Sequence, residues 1–129
     1  MHYAVLIFCT RKAGLSTEEF KDYYENKHIP LVKSLTGDQF PKSNTRYYIT
    51  SREVAQPVFI LGQPSDLPWD SVTALSFANE EHFNKCMAIY QDEETQKIFA
   101  SDEEKFLDRA SMKIVILGDV CQSVNECLQ

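Results

Sequence analysis

Ser16-Thr17-Glu18-Glu19 is a capping box, and it fixes where the first helix of the chain begins. The Ser16 hydroxyl can take the amide of Glu19, whose carboxylate reaches back to the amide of Ser16. The residues before it, Tyr3 to Cys9, are β-branched and aromatic and too few for a stable helix, so they read as a buried strand. Arg11-Lys12-Ala13-Gly14 turns the chain between the two. Beyond the box, Phe20, Tyr23, Tyr24, Lys27 or His28, and Leu31 recur at helical spacing. Pro30 is expected to kink this helix, because it lacks an amide and clashes with the preceding turn. Leu31 to Leu35 continue the apolar face until Gly37 ends it.

The remaining signals complete an alternating order. Thr45 to Thr50 alternates and is rich in strand formers. Glu53 to Pro68 holds three prolines and a glycine, with Val58-Phe59-Ile60-Leu61 inside it as a short extra strand or a loop packed on the core. Ser71 to Phe77 reads as a strand. Asn79 can cap a second helix whose first turn carries Glu80 and Glu81, and Phe83, Met87 and Tyr90 form its buried stripe. Asp92 to Asp108 is acidic and helical in character, with a second capping box expected at Ser101-Asp102-Glu103-Glu104. Met112 to Leu117 is the last strand. The order β-α-β-β-α-β is that of a ferredoxin-like α+β fold with an antiparallel sheet. At 129 residues one domain is expected, over residues 1–119, followed by a polar tail over 120–129.

Both faces of such a sheet need cover. In the first strand Tyr3, Val5, Ile7 and Cys9 point one way and Ala4, Leu6 and Phe8 the other, and both sets are apolar. Helices cover one face only, so a homodimer through the other is expected.

Charge and cysteine usage narrow the partners. The net charge is -6, and no cluster of Lys and Arg offsets it, so nucleic acid is not an expected partner. Cys9, Cys86, Cys121 and Cys127 form no CxxC pair and have no metal-type spacing with histidine. The opening Met1-His2-Tyr3 leads into an apolar run too short for a secretory h-region, and no stretch approaches the ~20 apolar residues of a membrane helix. A cytoplasmic protein with free thiols and no membrane partner is expected.

His28 is the residue that most invites chemistry. It stands four residues after Tyr24, so the two side chains lie one above the other. Histidine can give or take a proton near neutrality, and Tyr24 could orient it or donate to a substrate oxygen. The plainer reading is a partly buried histidine satisfied by a carbonyl or by water. Tyr23, Tyr47 and Tyr48 suit the walls of a site for a phenolic or quinonoid ligand, though only one of Tyr47 and Tyr48 can face the helices. Ordinary core and interface packing is their alternative. Trp69-Asp70 could form an aromatic wall with a carboxylate beside it, or an edge residue and a turn. Phe83 is placed on the same wall. His2, near the terminus, and His82, in an exposed first helical turn, are weaker candidates. One carboxylate of Asp102-Glu103-Glu104 could turn inward, although the run suits a solvated helix start. The histidines have no HxH or HExxH relation, and GxGxxG, Walker and GxSxG motifs are absent, so no metal or cofactor is expected. A ligand site would require a cavity of roughly 300 Å³ or more between helices and sheet.

The run Ser16 to Leu31 resembles the signature of the EthD-domain family, whose first helix typically carries F-x-x-Y/W-x-x-x-H-x-P-L. Phe20, Tyr23 or Tyr24, His28, Pro30 and Leu31 stand at its places. Thr45 to Thr50 and Asp102 to Asp108 are similar to a fungal branch of that family. The resemblance implies a dimeric α/β barrel, two ferredoxin-like units joined sheet to sheet, with a pocket between the helices and sheet of each. It implies membership of aromatic polyketide pathways, as a cofactor-free decarboxylase, dehydratase, cyclase or oxygenase, with His28 as the catalytic residue and Tyr24 in support. The expected activity is a cofactor-independent lyase, a decarboxylase or dehydratase, acting on a small hydrophobic aromatic or polycyclic polyketide intermediate. The alternatives are anthrone-type cofactor-free oxygenation or cyclisation, and, in another class, a non-catalytic binding protein for a hydrophobic intermediate.

Overall fold

The computed structural model describes residues 3–128. Four strands, β1 (Tyr3–Cys9), β2 (Ser43–Tyr48), β3 (Ser71–Phe77) and β4 (Lys113–Ile116), form one sheet of order β2-β3-β1-β4. Every neighbouring pair is antiparallel, and Val5 stands opposite Leu75 on one side and Ile116 on the other. The helices are α1 (Thr17–Tyr23), continued through a π turn (Tyr24–His28) into α2 (Ile29–Thr36), then α3 (Glu80–Gln91) and α4 (Glu93–Glu103). They pack on one face of the sheet, the ferredoxin-like arrangement.

The expected capping box starts α1: Ser16 Oγ accepts from the Glu19 amide at 3.0 Å, and Glu19 accepts from the Ser16 amide at 2.9 Å. Gly37 ends α2 at φ +52°, in the left-handed region that glycine adopts without a Cβ clash. Asn79 caps α3 by accepting from the His82 amide.

Alternation along the strands assigns the faces. Val5 and Cys9 of β1, and Ser71, Thr73, Leu75 and Phe77 of β3, are buried under the helices. The core divides into two clusters. Phe20, Tyr24, Ile29 and Phe106 gather with Cys9 and Leu107, while Val5, Leu75, Phe77 and Cys86 gather beneath α3. On the opposite face Leu6 lies between Ala74 and Val115, and Val72 between Phe8 and Tyr47. Helices leave this outer face uncovered; Tyr47 is 59% exposed and Val115 45%.

Where Pro30 is expected to kink the helix, the turn before it widens, with the Ile29 amide donating to the Tyr24 carbonyl five residues back. Pro30 has no amide to offer the α ladder, and the π turn absorbs that loss while the helix runs on into α2. Three local expectations are corrected. Ser101 to Glu104 is no capping box. Asp92 caps α4 instead, accepting from the Thr95 amide at 3.1 Å, so the acidic run falls at the helix's C-terminal end. Val58 to Leu61 is neither strand nor packed loop, because Val58, Ile60 and Leu61 are almost wholly exposed. His82 is half-buried: its Nδ1 accepts from the Ala78 amide, and its Nε2 meets the Gln39 carbonyl at 3.1 Å. His2 lies outside the described residues.

Candidate active site

Asp102 organises the site, and it does so with both carboxylate oxygens. Oδ2 lies 2.6 Å from Nδ1 of His28, and Oδ1 accepts from the Tyr23 hydroxyl at 2.8 Å. Burial pushes the Asp102 carboxyl upward, but the hydrogen bonds from His28 and Tyr23 and the nearby His28 charge outweigh it. Its pKa is held below the ordinary carboxylate range. An ionised carboxylate only accepts, so Nδ1 of His28 carries the hydrogen. Nε2 has no protein partner among the described residues, and the imidazole stands on a cavity wall. Burial, then the Asp102 bond, pushes the Tyr23 hydroxyl up to about 12, so it stays a donor.

Local structure aims these groups. The π turn spans Tyr24 to His28, so it sets the direction of the imidazole directly. Glu25, inside the same turn, holds Arg46 of β2 through Nε at 2.8 Å and Nη2 at 2.9 Å, and also accepts from the Tyr48 hydroxyl. This bidentate grip pins the turn to the sheet. From the other side, Phe106 is fully buried and supports the site: its ring centroid is 5.0 Å from that of His28 and 4.9 Å from that of Tyr23. The segment carrying Phe106 is itself tied to the end of β1, through Lys12 N–H to the Phe106 carbonyl and Asp108 N–H to the Thr10 carbonyl.

The cavity has a volume of about 650 Å³ and lies between the two core clusters. That exceeds the roughly 300 Å³ a small-molecule site requires. Its walls are mostly apolar: Val5 and Ile7 from β1, Val32 from α2, and Phe83 and Met87 from α3. Besides His28, the polar lining includes Asn44, Tyr90, Glu103 and the two cations Lys97 and Arg109. Tyr90 stacks on Phe99 at 4.5 Å, burial pushes its hydroxyl upward, and that hydroxyl has no protein partner among the described residues. Cys9 lines the wall too, but burial pushes its thiol up to about 12, which makes it a poor nucleophile. Among the described residues no group of three His, Cys, Asp or Glu side chains is placed to hold a metal ion.

The sequence-predicted candidates separate. His28, Tyr24 and Phe83 line the cavity. Tyr24 does not bond His28; its hydroxyl meets Thr73 Oγ1 at 2.7 Å, and its ring stands edge-on to the imidazole at 5.4 Å. Tyr23 acts from behind, on Asp102. Tyr48 faces the helices but is held by Glu25, while Tyr47 is on the outer face. Trp69 packs against Phe8, and Asp70 accepts from the Arg11 amide at 2.8 Å, so this pair is away from the cavity. Sequence reasoning missed Asp102, Glu103 and Tyr90 as site residues. For the first two, the only signal was an acidic run with room for one inward carboxylate.

The sheet order, the helices on one face and the cavity beneath them define a ferredoxin-like α+β protein with a buried histidine–carboxylate site. The model of the EthD domain matches residues 12–110, and the chain belongs to the EthD domain family. A similar solved structure is an ethyl tert-butyl ether D family protein from Bacillus halodurans, at 13% identity and TM-score 0.57, covering 93% of this chain and 100% of that one. An EthD-like protein from Ralstonia eutropha is 16% identical with TM-score 0.52, covering 90% and 87%. A hypothetical protein from Arabidopsis thaliana is 15% identical with TM-score 0.56, covering 95% and 92%. These likenesses carry the fold. No curated protein matches the chain in sequence. No helix among the described residues is long and apolar enough to cross a membrane.

Proposed function

We propose that the protein is a cofactor-independent lyase, a decarboxylase or dehydratase, acting on an aromatic or polycyclic polyketide intermediate in the cytoplasm. The observation that carries this reading is the Asp102-oriented His28 on the wall of a mostly apolar 650 Å³ cavity. The fungal polyketide assignment rests on the resemblance of Thr45 to Thr50 and Asp102 to Asp108 to that branch.

In decarboxylation of a β-keto acid, the bond to the carboxylate breaks and its electron pair moves into the adjacent carbonyl. His28, protonated at Nε2, then delivers a proton to carbon. In dehydration of a β-hydroxy ketone, neutral His28 takes the α-proton at Nε2 and hydroxide departs. Both routes build charge on an enolate oxygen, and the unpartnered Tyr90 hydroxyl is the tyrosine donor available to it in the cavity. Asp102 stabilises the imidazolium that forms when His28 takes a proton.

The functional unit in this reading is a homodimer. Leu6, Phe8, Val72, Ala74 and Val115 make a continuous apolar outer face that helices do not cover, and a second sheet would bury it. Anaerobic incubation with aromatic β-keto acids and β-hydroxy ketones tests the activity. Release of carbon dioxide or water without oxygen supports a lyase. Strict dependence on oxygen would assign an oxygenase, and tight binding without turnover a binding protein.

A further inference from the structure

Glu25 stands in the same π turn as His28, and through Arg46 it reaches a second wall of the cavity. Hydrogen bonds from Arg46 hold the Glu25 carboxyl below the ordinary carboxylate range, so it stays an acceptor. With Nε and Nη2 spent on Glu25, Arg46 turns Nη1 toward Asn44 of β2. That nitrogen donates to the Asn44 carbonyl at 2.7 Å and to Asn44 Oδ1 at 2.9 Å. A guanidinium carries no acceptor, so the side-chain atom it meets is the amide oxygen. The Asn44 amide is therefore held one way round, and its Nδ2 has no protein partner among the described residues.

Asn44 lines the cavity, beside Leu75 and then Val5 across the sheet. The other strand residues on that wall are Val5, Ile7, Cys9, Leu75, Phe77 and Ile114. Among the described residues Asn44 is thus the only strand residue to bring the cavity a side-chain nitrogen or oxygen. Asparagine is depleted in strands, and the backbone carbonyl alone already accepts from Arg46. Neither the strand nor the ion pair needs this amide. With Oδ1 committed to Arg46, Nδ2 is the polar atom that Asn44 offers the cavity.

We infer that Asn44 Nδ2 is a fixed hydrogen-bond donor to the ligand, and that the cavity takes a polycyclic ring system bearing two carbonyl oxygens, one met by Asn44 on the sheet and the other from the His28 and Tyr90 side. This rests on the reading of the cavity as a ligand site, and it narrows that reading's substrate class. The amide is uncharged and already oriented, so it asks for an acceptor oxygen at one place. A ligand with a methylene there would leave the Asn44 donor unpaired against an apolar ring, and the site would reject it. The other polar lining groups, Tyr90, Glu93, Gln96, Lys97, Glu103 and Arg109, come from α3, α4 and the turn before β4. An oxygen held by either cation, Lys97 or Arg109, would be bound independently of Asn44.

Anthraquinone and anthrone are rigid probes that differ in one ring carbonyl. Equilibrium dialysis of each against the full chain, in oxygen-free buffer, gives the ratio of their affinities. The wild type is expected to bind anthraquinone about tenfold more tightly. Asn44→Ala leaves the backbone carbonyl to hold Arg46 and removes the donor, so the ratio should fall to about one. Asn44→Asp keeps the shape and the Arg46 contact but presents an acceptor, and it too should lose the preference. Thr45→Ser, on the outer face of the same strand, should keep it. A loosened cavity would weaken both probes together and leave the ratio unchanged. A preference that survives in Asn44→Ala would overturn the inference and give the second oxygen to another lining group. Equal binding of the two probes by the wild type would overturn it as well. Binding of neither probe would strike the ligand-site reading together with the role of Asn44. Turnover is not read, so loss of the lyase reading alone would leave the Asn44 donor standing.

Discussion

Nδ1 of His28 lies 2.6 Å from the carboxylate of Asp102, although 74 residues separate them in the chain. Two elements make that contact, a π turn in the first helical rod and the last turn of α4, and the ring of Phe106 packs against the imidazole. The imidazole is thereby held in one tautomer with Nε2 open to the cavity.

Replacing the carboxylate while keeping its shape isolates that effect. In Asp102→Asn the amide can donate to Nδ1, which moves the hydrogen to Nε2 and removes the base. Turnover is expected to fall about 10²-fold or more, and the pH–rate profile to lose its ascending limb. Unchanged kcat in the folded variant would show that Asp102 does not orient His28 for chemistry.

The two neighbouring carboxyls should respond to pH in opposite senses. The folded pKa of Asp102 lies below its unfolded value of about 3.9, so its contribution to stability is complete above that pH. It is lost as pH falls through the lower folded value. Glu103 has a folded pKa raised above about 4.3, so its burial becomes destabilising as pH rises through the folded value. Thermal melts across pH should therefore show Asp102→Asn less stable than wild type at neutral pH and converging with it in acid. Glu103→Gln should be more stable than wild type at neutral pH, with no difference below about pH 4.

Phe106 joins the core to the site. Its ring is fully buried among Phe20, Tyr23, Tyr24 and His28. Phe106→Ala is expected to cost about 3–5 kcal/mol, because the lost transfer energy adds to a cavity that the rigid rings around it cannot fill. Urea denaturation measures this. A loss under about 1 kcal/mol would mean that the site collapses onto the gap.

Ala74 is central on the outer face, opposite Leu6 and beside Thr45. Ala74→Arg places a charge where a second sheet would pack. Sedimentation should show wild-type dimers and variant monomers. A monomeric wild type would remove the dimer from the functional reading.

Local signals made most of the fold legible. The capping box at Ser16, the Asn79 cap and the alternation in β1 and β3 act over a few residues, and each is found where its pattern places it. Pro30 was legible as the place of an irregularity but not as its form, because a proline rule reports a lost hydrogen bond, not how the helix redistributes the loss; here a π turn takes it up. The run Ser101 to Glu104 misled because a capping motif carries no record of where a helix has already begun. Asp92 starts α4 well upstream, so Ser101 is already inside the helix and its hydroxyl has no free first-turn amide to accept from. Site partners were the least legible. Asp102 meets His28 across 74 residues of chain, through the packing of α4 against the first helix, and periodicity carries no trace of that contact. Tyr47 and Tyr48 were ambiguous for a simpler reason, since alternation sends one to each face without saying which.

In the proposed lyase, His28 moves the proton without a cofactor. The most direct test is anaerobic turnover of an aromatic β-hydroxy ketone by wild type and by His28→Ala, with the variant's fold confirmed. Product is expected from the wild type without oxygen, at a rate about 10²–10⁴-fold above that of the variant. An equal rate in the two proteins, or a wild type that turns over only with oxygen, would contradict this role for His28.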